Sequence, residues 1–122
     1  MSLQVYGIPN CGTCKKAIAW LRGNDIEHEF INTKDNPPER EAIASWVDTL
    51  GSKGMRNTSG KSYRALGEAR NSFSDEQWID AFAADAMLLK RPLFVRDSQA
   101  ILVGFRASEA ELKEKLIVSI PS

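Results

Sequence analysis

The residues of this chain best suited to chemistry are Cys11 and Cys14, a C-x-x-C pair with Gly12 and Thr13 between the thiols. A secreted disulfide framework joins distant loops, whereas two cysteines this close in a reducing compartment are more often reactive or metal-binding. A thiolate attacks disulfides, sulfenates and oxyanion centres. The pair therefore predicts thiol redox chemistry.

The predicted position of this pair favours a reactive thiolate. Residues 3–8 predict a strand and residues 13–22 predict a helix that ends at Gly23, so the cysteines fall at a strand-to-helix turn. A helix start offers unpaired N–H groups and about half a positive charge, which stabilise a thiolate. Lys15 and Lys16 add positive charge nearby.

We therefore expect Cys11 to be an acidic nucleophile. Cys14 lies about one helical turn onward on the same side, so it is predicted to resolve a mixed intermediate formed at Cys11. Gly12 and Thr13, at the same helix start, are predicted to contact the substrate.

Two other interpretations of the cysteines remain open. A structural zinc needs four ligands, but the chain offers two cysteines and one histidine, His28, which is predicted to be a half-exposed strand residue away from the turn. A closed site could form only between chains, and we expect no metal. Alternatively, two free cysteines can pack as small inert hydrophobes, although an exposed turn argues against this.

Basic residues and a proline could complete an anion site. Guanidinium groups bind oxyanions through two parallel hydrogen bonds and would lower the pKa of a nearby thiol. Arg91, Arg106 and Arg56 are the candidates, with Arg64 as an alternative to Arg56. Pro92 precedes a predicted strand, where redox folds of this plan commonly place a cis proline beside the reactive cysteine. A proline tolerated at a strand start is the alternative.

The front and middle of the chain predict a βαβ unit followed by helices. Alternation over residues 26–31 predicts a second strand, parallel to the first. Apolar residues at helical spacing predict a helix that ends before Gly51, and residues 51–61 predict a loop. Residues 62–66 predict a helical turn before Gly67, and Ser74 with Gln77 predicts a capping box at the next helix.

The end of the chain predicts a hairpin and a last helix. Residues 93–95 and 100–105 predict antiparallel strands joined by residues 96–99. Ser108 with Glu111 predicts another capping box. The order β-α-β, helices, β-β-α predicts a single α/β domain over residues 1–122, with a thioredoxin-like mixed four-stranded sheet and a helical insertion at about 38–88.

Composition excludes several classes of function. Sixteen acidic and sixteen basic residues balance, so no net field favours nucleic acid or an anionic membrane. No apolar run approaches the roughly 20 residues that span a bilayer, and the N-terminus lacks the features of a signal peptide. We expect a cytoplasmic monomer with no nucleic-acid or membrane partner.

Four segments in this order resemble one known family, the glutaredoxin-linked arsenate reductases with their Spx and MgsR relatives. They are YGIPNCGTCKKA at 6–17, NTSGKSYR at 57–64, RPL at 91–93 and LVGF at 102–105. The resemblance implies a thioredoxin fold with a helical insertion, in which the cysteine matching Cys11 attacks arsenate. Glutathione and glutaredoxin then reduce the adduct, so a thiol co-substrate is implied and no bound cofactor. The expected partners are a small thiol or oxyanion and a reducing protein, glutaredoxin or thioredoxin.

The family's oxyanion-binding arginines match this chain in part. Arg91 matches one and Arg106 another. For the third, alignment on Tyr63 places Asn57 at the arginine position, so Arg56 substitutes only if the loop shifts by one residue.

Two further departures bear on function. Arsenate reductases of this type carry a histidine where this chain has Gly7 and a serine where it has Cys14. Cys14 instead matches the redox-switch members, whose C-x-x-C forms a disulfide and which bind the RNA polymerase α subunit. Three hypotheses follow: a thiol-dependent reductase acting on arsenate or a related thiol or disulfide, a regulator of the Spx type, or an inactive scaffold.

Overall fold

The computed structural model describes residues 3–106 and 109–116. Its strands are β1 (Leu3–Gly7), β2 (His28–Asn32), β3 (Leu93–Arg96) and β4 (Gln99–Val103). Its helices are α1 (Gly12–Gly23), α2 (Arg40–Leu50), α3 (Lys61–Ala65), α4 (Asp75–Ala84) and α5 (Glu109–Leu116), with 3-10 turns at Lys53–Met55, Gly67–Ser72 and Ala86–Leu88.

The strands form one mixed sheet in the order β2-β1-β3-β4. β1 runs parallel to β2, and β3 runs antiparallel to both β1 and β4. The predicted mixed sheet, its parallel βαβ unit and its C-terminal hairpin are therefore confirmed. This is the thioredoxin-like α/β plan, with α2, α3 and α4 lying between β2 and β3.

Alternation along the strands separates two hydrophobic cores. Leu3, Val5 and Phe94 pack on one face with residues of α1 and α5. Leu93 and Val95 point to the opposite face, where they meet α2 and α4. Because successive side chains of a strand point to opposite sides, β1 and β3 are fixed in position by packing on both faces.

Local sequence signals set several element boundaries. Ser74 Oγ accepts from Gln77 N at 3.2 Å and Gln77 Oε1 accepts from Ser74 N at 2.8 Å, which confirms the capping box of α4. The hairpin is tighter than predicted, because Asp97 and Ser98 both adopt positive φ and form a two-residue turn. The predicted capping box at Ser108 lies outside the described residues.

Several boundaries differ from those predicted. The first strand ends at Gly7 rather than at residue 8, the second covers His28–Asn32 rather than 26–31, and the last ends at Val103 rather than at 105. Gly23 is the last residue of α1 and Asn24 is its C-cap, with an N–H that reaches the carbonyls of the last turn. The predicted loop at 51–61 contains the 3-10 turn Lys53–Met55, which buries Met55 in the core beneath α4. Gly67, with a φ of 67°, opens a second 3-10 turn rather than ending the helical region.

Within the described residues, each helix is too short or too polar to cross a lipid bilayer. Exposed pairs from Arg40 to Glu76 and Asp80 join α2 to α4 at 2.8 and 2.7 Å. The helices between β2 and β3 thus form a packed layer on one face of the sheet. The loop that joins α2 to α3 extends to the C-terminal end of β1, close to Cys11.

Candidate active site

Cys11 is the N-cap residue of α1. A turn follows β1, in which Cys11 N donates to Ile8 O at 3.3 Å. Cys11 has an extended backbone (φ −93°, ψ 120°), and its sulfur accepts from the backbone N–H of Cys14 at 3.4 Å. The sulfur therefore occupies the position that a serine or aspartate oxygen takes in a capped helix.

The environment of Cys11 lowers the pKa of its thiol. Partial burial alone would raise this pKa, but several groups oppose it: N–H groups of Cys14 and Thr13, the thiol of Cys14, and the positive charge of Arg91. The net effect is a lowered pKa. The half-buried sulfur is thus stabilised as the nucleophilic thiolate.

Cys14 has the opposite character. The residue is only 2% exposed, and burial, its hydrogen bond to Cys11 and the negative charge of Cys11 raise the pKa of its thiol to about 11. Both cysteines are free thiols in this structure. Cys14 therefore keeps its proton and donates it to the Cys11 sulfur, which makes the pair asymmetric.

Gly7, the last residue of β1, gives Cys14 the space that its sulfur occupies. A Cβ at Gly7 would lie 2.6 Å from Cys14 Sγ and 3.3 Å from Phe30 Cε1. Contacts below 3 Å between such atoms are strongly repulsive. The thiol of Cys14 therefore fits at the start of α1 only because residue 7 has no side chain.

A polar cavity of about 420 Å³ opens beside Cys11. Its described lining residues include four cationic side chains, and none of the lining residues is acidic. Cys11 and Thr13 belong to the start of α1, and the other lining residues are Lys16, Asn57, Ser59, Lys90, Arg91, Gly104, Phe105 and Arg106. The surroundings of the thiolate are therefore positively charged.

The structure brings several of the predicted residues to this cavity. Arg91, Arg106 and Thr13 line it together with Cys11. Pro92, the next residue along the chain, is buried, and the Arg91–Pro92 bond is cis, the first of the two alternatives considered for this proline. Gly12 is the exposed first residue of α1. Their contacts with substrate remain predictions.

Arg56 is the exception. Its guanidinium lies 4.2 Å from the centre of the Trp78 ring and donates to Ser52 Oγ at 3.1 Å, and Arg56 is not among the residues that line the cavity. Asn57 lines it instead, so the loop is not shifted by one residue. Arg64, the alternative, is exposed and donates to Ser59 O at 3.0 Å.

A short antiparallel pairing explains this outcome. Arg56 pairs with Leu89, while Asn57 N donates to Leu88 O and Lys90 N donates to Met55 O, each at 2.8 Å. Neighbouring residues of extended chain point to opposite sides. Arg56 and Leu89 therefore face the core that contains Trp78, whereas Asn57 and Lys90 face the cavity.

Lys90 is a lining residue that the sequence reasoning missed. Its position directly before Arg91 and Pro92 was the available signal, because a residue next to a predicted site is a candidate in its own right. Lys16, by contrast, was anticipated as a nearby charge and does line the cavity.

A second groove, of about 380 Å³, lies between α1 and β2. Cys14, Lys15 and His28 are among its lining residues. His28 is half-buried as predicted, with Nδ1 at 2.9 Å from Ile26 O. Among residues 3–106 and 109–116, no group of three or more potential ligands is arranged to hold a metal ion.

The charge of Arg91 is expected to control the ionisation of Cys11. The pH midpoint of Cys11 alkylation by iodoacetamide, followed by mass spectrometry, should fall below the ordinary thiol value of about 8.5. Arg91→Gln removes a charge that lowers this pKa, so the midpoint should rise. Arg91→Lys should raise it less, and Lys34→Gln, which removes a charge beside a different cavity, should leave it unchanged. An equal midpoint in Arg91→Gln and wild type would contradict the assignment.

The contact between Gly7 and Cys14 is expected to appear as thermodynamic coupling. Gly7→Ala should lower the free energy of unfolding by about 1–3 kcal/mol, the usual cost of overpacking. In a Cys14→Ala background the opposing sulfur is gone, so the same change should cost less. Urea unfolding of the four proteins gives the coupling energy. Equal costs in both backgrounds would show that the two residues do not compete for space.

Comparison with known proteins agrees with the sequence resemblance. Residues 6–112 match the ArsC family. The chain is 36% identical to the YusI protein of Bacillus subtilis over 91% of this chain and 97% of that protein. It is 29% identical to the global transcriptional regulator Spx of Lactiplantibacillus plantarum, over 86% and 80% of the two chains. A crystal structure described as a possible arsenate reductase from Streptococcus mutans superposes with a TM-score of 0.82, at 36% identity over 91% and 97% of the two chains.

These matches cover the strand-to-helix turn, the helical layer and the hairpin that together surround Cys11. The chain therefore belongs to the ArsC family.

Proposed function

We propose that this protein is a thiol-dependent oxidoreductase in which Cys11 is the nucleophile and Cys14 the resolving thiol. The observation that carries the proposal is the position of the Cys11 sulfur. The sulfur caps α1, the pKa of the thiol is lowered, and the residue lines a cavity that carries four cationic side chains. A thiolate that is both stabilised and accessible is the species that attacks disulfides.

The asymmetry of the two thiols suggests an order of steps for a disulfide substrate. The Cys11 thiolate attacks one sulfur of the substrate, the substrate S–S bond breaks, and a mixed disulfide forms while the other half leaves as a thiolate. The Cys14 thiol then passes its proton to the departing group and attacks the Cys11 sulfur. The substrate leaves as two thiols and the protein retains a Cys11–Cys14 disulfide, which glutathione or glutaredoxin would reduce.

Disulfides fit this site better than arsenate does. Arg91 and Arg106 remain available for an oxyanion, but Asn57 stands where the third arginine of arsenate reductases is expected, and Arg56 is held against Trp78. A site with fewer guanidinium groups binds a tetrahedral oxyanion less strongly. Arsenate is therefore the second substrate to test, with glutathione and glutaredoxin as reductants.

Two cysteine variants test this mechanism. Wild-type protein should reduce 2-hydroxyethyl disulfide, and Cys11→Ser should lose this activity by at least about 100-fold, because a hydroxyl is a far weaker nucleophile at neutral pH. Cys14→Ser should retain the first step and accumulate a mixed disulfide, seen by mass spectrometry as one added 2-mercaptoethanol. The same proteins should be assayed for arsenate reduction.

The results separate the possible mechanisms. Activity in Cys11→Ser equal to that of wild type, with both substrates, would end the proposal. Full turnover in Cys14→Ser would instead remove Cys14 from the mechanism and leave Cys11 as the sole reacting thiol.

A second candidate function is redox-controlled binding of the RNA polymerase α subunit. Two observations favour it: the similarity to an Spx protein, and a Cys11–Cys14 pair close enough for one thiol to hydrogen-bond the other. If this function is correct, purified α subunit should bind the oxidised and reduced proteins with different affinities, and Cys14→Ser should abolish that difference. Absence of a complex in both redox states would exclude it. Either function belongs in the cytoplasm, where thiol reductants are available.

A further inference from the structure

Lys90 occupies a place in the cavity that depends on Gly104. The backbone of Lys90 is fixed by its hydrogen bond to Met55 O, and its side chain extends across Gly104. A Cβ at Gly104 would lie 3.1 Å from Lys90 Cε and 3.4 Å from Lys90 Nζ. Gly104 also has a positive φ of 79° and donates to Pro92 O at 2.7 Å. The hairpin end therefore forms a flat surface on which the lysine stem rests.

The ammonium group of Lys90 lies on the cavity wall without a compensating charge. Within the described residues, the ion pairs involve Arg40 and not Lys90, and no acidic residue lines the cavity. Lys16, Arg91 and Arg106 are cations on the same cavity. Like charges held close together repel one another, so an anionic ligand would relieve repulsion as well as form new contacts.

The cations of the cavity are placed for different tasks. Arg91 acts on the Cys11 sulfur, since its charge is among the groups that stabilise the thiolate. Lys90 lies across Gly104, on the side of the cavity formed by the hairpin. A ligand that reacts at Cys11 and fills the cavity therefore contacts Lys90, and it does so through the part of the molecule that does not react.

We propose that the site selects disulfides bearing a carboxylate, and that Lys90 is the residue that binds this carboxylate. The inference rests on the proposed function and adds the substrate class. In the reaction, the Cys11 thiolate attacks the near sulfur, a mixed disulfide with the carboxylate-bearing half forms, and the other half leaves as its thiolate. Lys90 contacts the substrate without taking part in the bond exchange.

Three small disulfides of different charge test the selection: 3,3′-dithiodipropionate, 2-hydroxyethyl disulfide and cystamine, which are dianionic, neutral and dicationic. Reduced protein is mixed with each, and the released thiol is quantified by chromatography after acid quenching. Each rate is divided by the rate at which 1-thioglycerol, a neutral thiol that is not the reduced form of any of the three, attacks the same disulfide, because the leaving thiols differ in pKa. The normalised rates should fall in the order dianion, neutral, dication, and the differences should shrink in high salt.

Variants of Lys90 assign the effect to this residue. Lys90→Met keeps most of the volume without the charge, and it should lower the normalised rate with the dianion about three- to fivefold, the range of a partly exposed ion pair. Its rate with the neutral disulfide should stay within about twofold of wild type. Lys90→Arg should restore the dianion rate, and Lys34→Gln should match wild type with all three disulfides.

The outcomes separate this inference from the proposed function. If wild type reacts no faster than Cys11→Ser with all three disulfides, the proposed function fails for disulfide substrates, and the inference about Lys90 fails with it. If wild type reacts through Cys11 but shows no preference for the dianion, or if Lys90→Met slows the dianion and neutral disulfides equally, the inference about Lys90 is wrong and the proposed function stands.

Discussion

The hydrogen bond from Cys14 N to Cys11 Sγ is the contact on which the rest of the site depends. It places the sulfur at the positive end of α1 and defines the first turn of that helix. It also fixes the positions of the two thiols relative to each other. Cys14 is the first buried residue of the helix, whereas Cys11 stays at the N-cap, partly exposed. The opposite acidities of two chemically identical side chains follow from this one geometry.

The remainder of the fold brings positive charge to that sulfur from separate parts of the chain. The antiparallel pairing of β1 with β3 places the start of β3, and with it Arg91, beside the end of β1. The connection between α2 and α3, which pairs with the segment just before Arg91, contributes Asn57 and Ser59 to the same cavity. The helical layer thus does more than cover one face of the sheet, because its loop helps to shape the cavity.

The sequence was sufficient to predict features that depend on residues close together in the chain. The C-x-x-C pair, the capping box at Ser74 and the hairpin at β3 and β4 each depend on a few adjacent residues, and all were anticipated. The cis bond at Pro92 was anticipated in a different way, from the fold plan together with the cysteines.

Features set by pairing between distant segments were harder to predict. Whether Arg56 or Asn57 faces the cavity is decided by the pairing of Arg56 with Leu89, more than thirty positions along the chain. A shift of one residue in that pairing would exchange the two side chains between core and cavity. The same pairing directs Lys90, which no local motif singles out. The register of pairing between these distant segments therefore determines which of Arg56, Asn57 and Lys90 face the cavity, and the sequence alone does not reveal that register.

The tight fit between Gly7 and Cys14 limits how this protein can diverge. A histidine at position 7 would place its Cβ 2.6 Å from the Cys14 sulfur, so it requires a smaller or displaced side chain at position 14. The side chains at positions 7 and 14, where this chain departs from the arsenate reductase pattern, thus compete for the same space. A lineage that moves between the two patterns must pass through an overcrowded or a hollow intermediate, and this favours inheritance of the two substitutions together.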